Sequence, residues 1–168
     1  MAVKKSYVGM AGQLFVMSEL AFRGYNVATP AVDEGDDVFI TDPNTGQLTR
    51  GQVKTSNGTR RGAGNISGYS GQFRVPVTQM NNAAGGVLYY FLVCRCSVGD
   101  TRFAVIERAQ LRELHETDLI GTPAGDYVQF SLNFRETGEV WTGVNVQAQQ
   151  VRRTVQMNNC FPVIEAAA

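Results

Sequence analysis

Between Pro43 and Gly99 the chain contains no acidic residue. Arg50, Lys54, Arg60, Arg61, Arg74 and Arg95 all fall in that interval, so a chain of zero formal charge has a basic middle third. Asp33, Glu34, Asp36 and Asp37 cluster just before it. A positive stretch beside an acidic cluster suits a protein that holds a polyanion near a bound cation; a chance asymmetry on a solvated surface is the alternative. Histidine is nearly missing, with His115 alone, and only three cysteines occur. Cys94 and Cys96, on either side of Arg95, are expected as buried free thiols leaving an extended run on opposite faces, with Cys160 apart from them. No apolar run approaches the roughly 18 residues needed to span a membrane. Lys4 and Lys5 are followed by Gly9, Gln13 and Glu19, which interrupt the continuous apolar stretch a signal peptide needs. A soluble, cytoplasmic protein with no membrane partner is expected. With 168 residues, 43% hydrophobic and 18% charged, the chain suits a single domain, with a core over about residues 7–146 and an unassigned C-terminal tail.

Apolar residues at Met10, Leu14, Met17 and Ala21, widened by Phe15 and Phe22, have helical spacing and predict a helix from about Val8 to Arg23, closed by Gly24. A short strand is expected over Asn26 to Thr29, stopped by Pro30. "VFIT" and "LTRGQVKT" read as an antiparallel hairpin about the turn "DPNTGQ". The glycine-rich segment "SNGTRRGAGNISGYSGQF" reads as a loop of more than fifteen residues. "GVLYYFLVCRC" suits a central strand and "TRFAVIE" its partner; "RAQLRELHE" suits a helix. "DYVQFSLNF" alternates apolar and polar residues as a half-buried strand does, and "VWTGVNV" follows as another. This order gives an α/β fold with a mixed central sheet flanked by helices.

The arrangement that carries chemistry lies in the hairpin. Gln52 and Lys54 are two residues apart and leave the same face of their strand, and Asp37 at the start of the neighbouring strand can reach that face. A carboxylate oxygen, an amide oxygen and the carbonyl of Val53 are hard donors of the kind that Mg²⁺ or Mn²⁺ accepts while keeping several waters. A lysine beside them can stabilise negative charge developing on a phosphate, or help position an attacking water.

The helix, the short strand, "GDD" opening a strand and "QVKTS" ending the next together resemble the PD-(D/E)XK nuclease superfamily. Within it they look closest to Holliday-junction-resolvase-like and homing-endonuclease-like members, some of which carry Gln before X-Lys. The resemblance covers about the first 60 residues and continues more loosely through "VLYYFLVCRC" and "TRFAVIE". It implies a restriction-endonuclease-like core and metal-dependent hydrolysis of DNA phosphodiester bonds. It also implies that Asp37 and Gln52 hold Mg²⁺ or Mn²⁺ with the Val53 carbonyl, and that Lys54 assists catalysis. A catalytically inactive module that binds nucleic acid or a protein is the alternative.

Many such proteins carry a glutamate where this helix has Gln13, which shares an inward face with Met17 and Leu20. Glu19 lies about 240° further round the helix and suits a surface ion pair with Arg23. With Gln13 and Gln52 neutral, Asp37 is the one anionic ligand, to be supplemented by Asp36 or Asp33. Arg50, Arg60, Arg61 and Arg74 are candidate DNA contacts. Tyr69 and Phe73 suit the core, with stacking on a base as the alternative, Trp141 suits the core, and His115 a solvated or half-buried site. A homodimer would supply two active sites for duplex cleavage.

Overall fold

The computed structural model describes residues 4–32, 35–61, 67–82, 86–97, 99–117, 120–145 and 152–157. Helix α1 (Lys5–Phe22) precedes strands β1 (Asn26–Ala28), β2 (Val38–Thr41) and β3 (Leu48–Asn57). Strands β4 (Thr59–Arg61) and β5 (Gly68–Pro76), helix α2 (Val77–Asn81), strands β6 (Leu88–Ser97) and β7 (Asp100–Glu107), and helix α3 (Arg108–Glu116) follow. Strands β8 (Thr122–Ala124), β9 (Tyr127–Arg135), β10 (Val140–Asn145) and β11 (Arg152–Met157) complete the described elements. Asp33, Glu34 and Cys160 lie outside the described residues.

The mixed α/β architecture is present as two sheets. One runs β1-β2-β3-β6-β7, the other β11-β10-β9-β5-β4 with β8 on β9. In the first, β2 and β3 form the expected antiparallel hairpin, with Val38 opposite Gly51 and Thr41 opposite Leu48. On its other edge β3 pairs in parallel with β6, Gln52 beside Tyr90 and Lys54 beside Leu92. Strand β6 is buried on both faces, which is why it reads as one unbroken apolar run. Phe91 and Val93 pack with Val16 and Leu20 of α1 and with Val38 and Ile40. Tyr90, Leu92 and Cys94 pack the other way, against Phe73 and Val75 of β5 and Val128, Phe130 and Leu132 of β9. The first sheet is thus covered by α1 on one face, and on the other by the second sheet as well as by the short helices α2 and α3.

The segment read as a long loop therefore holds two strands, β4 and β5. Gly58, Gly68 and Gly71 in it are close-approach positions within and beside the sheets. A Cβ on Gly58 would come within 2.9 Å of Cys94 Sγ, and one on Gly71 within 3.3 Å of the same atom. Cys94 and Cys96 do not part to opposite faces. Residues two apart on a strand share a face, and both thiols lie in the core between the sheets with their sulfurs 3.8 Å apart. Burial pushes the Cys94 thiol well above its ordinary pKa.

Helix α1 begins three residues before its expected start and ends as expected. Gly24 has φ +89, and the amides of Gly24 and Tyr25 bond back to Ala21 and Leu20 at 2.9 and 3.1 Å, closing the last turn. Glu19 and Arg23 form the expected surface ion pair at 2.6 Å. The inner face of α1 meets β3 at Gly12, where a Cβ would collide with the whole side chain of Thr55. Gly9, on the same helix, has open space around it. Two substitutions that are alike for an isolated helix should therefore diverge. Gly9→Ala is expected to stabilise the fold by about 0.5–1 kcal/mol through helix propensity. Gly12→Ala should instead cost about 1–3 kcal/mol through overpacking. Denaturant midpoints of the two variants check this, and equal shifts would contradict the packing of α1 on β3.

Candidate active site

Strand β3 outruns β2. Beyond Gly51 its edge has no further β2 residue to pair with, because β2 starts at Val38. Asp37 takes over at that edge. Its main-chain N–H donates to the Gly51 carbonyl at 2.9 Å, and its carboxylate Oδ2 accepts the N–H of Val53 at 2.6 Å. A side chain here does what a strand would have done, and a charge-assisted bond of this length is stronger than the neutral bond it replaces. Backbone polar groups alternate between the edges of a strand with period two. The Val53 carbonyl therefore points to the same edge as that of Gly51, toward Asp37. Continuing the register one step past Val38 and Gly51 sets Asp37 opposite Gln52, on the face shared with Lys54.

Gln52 is buried, with 7% of its surface exposed. Both ends of its amide are satisfied when the nitrogen donates to the Gly35 carbonyl at 2.8 Å and the oxygen accepts from Lys54 Nζ at 3.0 Å. The Gly35 carbonyl also accepts from Gln79 Nε2 at 2.9 Å, and the Gln79 amide packs against that of Gln52. A carbonyl has two lone pairs, and here two amides occupy them. Gly35 has φ +100, and a Cβ on it would come within 2.8 Å of Gln79 Nε2, so both the turn and the clasp require glycine. On the other side of the sheet Gln13 reaches down from α1 and donates from Nε2 to the main-chain oxygen of Asp37 at 2.6 Å. Three glutamines, from α1, β3 and α2, thus hold the backbone on which Asp37 stands.

The structure brings Asp37, Gln52, Val53 and Lys54 together, with Gln13 in contact as a main-chain clamp. Asp36 turns to Arg50, with Oδ2 3.3 Å from Nη1, which commits both to a half-buried ion pair. Tyr90, next to Gln52 across the strand pair, has a buried hydroxyl whose pKa is pushed up to about 12 by desolvation, so it stays protonated at neutral pH. The remaining basic candidates lie apart from this cluster. Arg60 and Arg61 are exposed on β4, Arg60 with Glu136 at 3.4 Å and over the ring of Tyr69. Arg74 donates to Gln129 at 2.7 Å on the outer face of the second sheet. His115 bonds the Ile120 carbonyl at 3.0 Å, a structural role. Phe73 is core, and Trp141 is half-buried under Arg135.

Gln79 was missed in the sequence because it sits on a five-residue helix, 44 positions from the glycine it holds. Among the described residues no three His, Cys, Asp or Glu side chains gather at one point. The donors around Asp37 are one carboxylate, one amide oxygen and one main-chain carbonyl. This hard-oxygen set fits a divalent ion that keeps several waters and completes its shell with phosphate oxygens.

No family model and no curated protein matches the chain. Among solved structures it is similar to a bacterial homing endonuclease, I-Ssp6803I, at 14% identity over 96% of this chain and 82% of that one, with a TM-score of 0.34. A likeness at that distance carries no residue or role across, and the site stands on its own geometry.

Because Gln13 acts as a donor, a carboxylate in its place is the wrong group. Gln13→Glu should cost about 1–3 kcal/mol at neutral pH, since the Asp37 carbonyl loses its partner and faces a negative charge. Only the protonated acid can donate there, so the folded-state pKa of the new group is raised. The folded state then binds more protons than the unfolded one, and the deficit should shrink as pH falls through that raised pKa. Urea midpoints of variant and wild type at neutral and mildly acidic pH measure this; a deficit that widens in acid would contradict it.

Proposed function

We propose that this chain is a metal-dependent DNA endonuclease of the PD-(D/E)XK kind, with a restriction-endonuclease-like core and a Gln-X-Lys variant of the motif. The observation that carries the reading is the Asp37 carboxylate seated on the Val53 N–H, at the edge of a strand whose neighbouring residues present a Gln52 oxygen and a Lys54 ammonium 3.0 Å apart. Asp37 and Gln52, with the Val53 carbonyl, would hold Mg²⁺ or Mn²⁺. Such an ion, when bound, supplies Lewis acidity toward the phosphate and lowers the pKa of a coordinated water. Lys54 sets a positive charge where negative charge builds on the phosphoryl oxygens. Gln79 and Gln52 fix the Gly35 carbonyl and Gln13 fixes that of Asp37, so the carboxylate is oriented before DNA arrives.

A second reading, an inactive nuclease fold that binds nucleic acid or a protein, draws on a specific observation. Gln13 and Gln52 are neutral where carboxylates commonly stand in that superfamily, and Asp36 is committed to Arg50. Incubation of the purified protein with supercoiled plasmid and with branched DNA, in Mg²⁺ and in Mn²⁺, separates the two. Nicking is expected from the wild type and should be lost in Asp37→Asn and Lys54→Ala. Asp37→Asn is the cleaner variant, because its amide oxygen can still accept the Val53 N–H and keep the edge of β3 closed. Binding without nicking in either metal would establish the second reading.

DNA affinity draws on Arg61, Arg74 and Arg95, which make no ion pair among the described residues, and on Arg60, whose exposed pair with Glu136 at 3.4 Å is weak. Replacing Arg60 and Arg61 together by Ala should flatten the slope of log affinity against log salt by about two units, roughly one per phosphate contact. An unchanged slope would remove β4 from the interface.

A further inference from the structure

Helix α1 is apolar on two faces. Only Lys5 and Glu19 of its eighteen residues are charged, and its inner face already packs on the sheet through Val16 and Leu20. On its outer face Tyr7, Met10, Leu14 and Phe22 are 66%, 54%, 58% and 89% exposed. At 100° per residue these four fall within an arc of about 120° that runs nearly the whole helix. Ala11, Ser18 and Ala21 fill the same arc, and it contains no charge. Single exposed apolar residues are ordinary on a protein surface, whereas four large ones aligned on one helix form a patch. A helix apolar all round is one whose both sides are meant to be covered.

We infer that the outer face of α1 is the two-fold interface of a homodimer, in which α1 packs antiparallel on α1 of a second copy. The chemistry of the stripe selects this occupant. DNA does not fit, because the arc carries no positive charge to neutralise a phosphate. A membrane surface calls for Lys and Arg along both flanks of the apolar face, but here Lys4 and Lys5 lie at one end, and Arg23 at the other is bound to Glu19. An uncharged stripe is complementary to itself, which an isologous contact requires. Its area also suffices: the four side chains expose about 500 Å² per copy, and pairing two copies reaches the roughly 1,000 Å² that a specific interface needs. The small residues Ala11 and Ser18 beside Met10 and Leu14 provide grooves for the partner's ridges.

Charge favours the antiparallel sense. The first turn of α1 has no acidic residue and is preceded by Lys4, while the last turn has no basic residue. Antiparallel packing centred near Leu14 sets Lys4 of one copy beside the terminal carbonyls of the partner helix. A parallel arrangement would set the basic ends together.

Sedimentation of the full chain over a range of micromolar concentrations tests the proposal by mass alone, independently of any nuclease activity. The wild type should sediment as a dimer that dissociates on dilution. Leu14→Glu, near the axis, places two carboxylates against each other and should weaken association at least about 100-fold. Because Leu14 faces solvent in the monomer, the variant should keep the wild-type circular dichroism. Leu48→Glu is the matched control, since Leu48 is 61% exposed on β3, away from α1, and it should leave the dimer intact. The proposal is overturned if the wild type stays monomeric throughout, or if Leu14→Glu dimerises as tightly as wild type. It is equally overturned if Leu48→Glu weakens association as much, or if a monomeric wild type binds anionic lipid vesicles through Leu14.

Discussion

The 2.6 Å bond from the Val53 N–H to the Asp37 carboxylate is the constraint on which the site depends. It exists because β3 continues toward β6 after β2 has ended, leaving main-chain groups at an edge inside the molecule. An unpaired buried N–H costs about 1–3 kcal/mol, so some acceptor has to close that edge. A carboxylate closes it and brings a negative charge to the stretch that also presents Gln52 and Lys54. Fold stability and chemistry therefore draw on one group.

Around that carboxylate the neighbouring polar groups are amides. Gln13, Gln52 and Gln79 direct donors at the carbonyls of Asp37 and Gly35. An amide can donate and accept at once, which a carboxylate at neutral pH cannot. The arrangement fixes the backbone well and adds no anionic charge. On the proposed reading that choice shapes what the site would bind: with Lys54 adjacent, a divalent ion would gain little from the protein alone. It would gain more once phosphate oxygens arrived, as suits an ion that keeps its waters until substrate is present.

Where local spacing determined structure, the sequence was readable. The extent of α1, the hairpin ends at "VFIT" and the alternation in β9 each follow from contacts a few residues apart or from one buried face, but the Met10, Leu14 and Ala21 spacing that marks α1 lies on its exposed side, while Gly12, Val16 and Leu20 are buried. Asp37, Gln52 and Lys54 were readable for the same reason, being neighbours across one hairpin. Strands β4 and β5 were not, because glycine ordinarily signals a turn, whereas glycine at 58 is crowded by Cys94 on β6 and glycine at 71 by Phe73 and Cys94. Gln79 was hidden likewise: its partner lies on a loop far back in the chain, and a five-residue helix has too little periodicity to mark an inward face. Gln13 was legible as inward-facing, but its role as a donor to a main-chain oxygen depends on where α1 sits.

The seat of α1 is set by Gly12. Without a side chain there, the helix approaches β3 closely enough to touch Thr55, and Gln13, one residue further, comes within hydrogen-bonding reach of Asp37. Lifting the helix by the width of a methyl group would break that bond, since hydrogen bonds weaken steeply beyond about 3.2 Å. Packing and site geometry thus share one rigid element. Its inner face cannot shift without unseating the backbone of Asp37, and its outer face is the largest aligned set of exposed apolar side chains among the described residues. Whatever covers that outer face acts on a helix already fixed by the site.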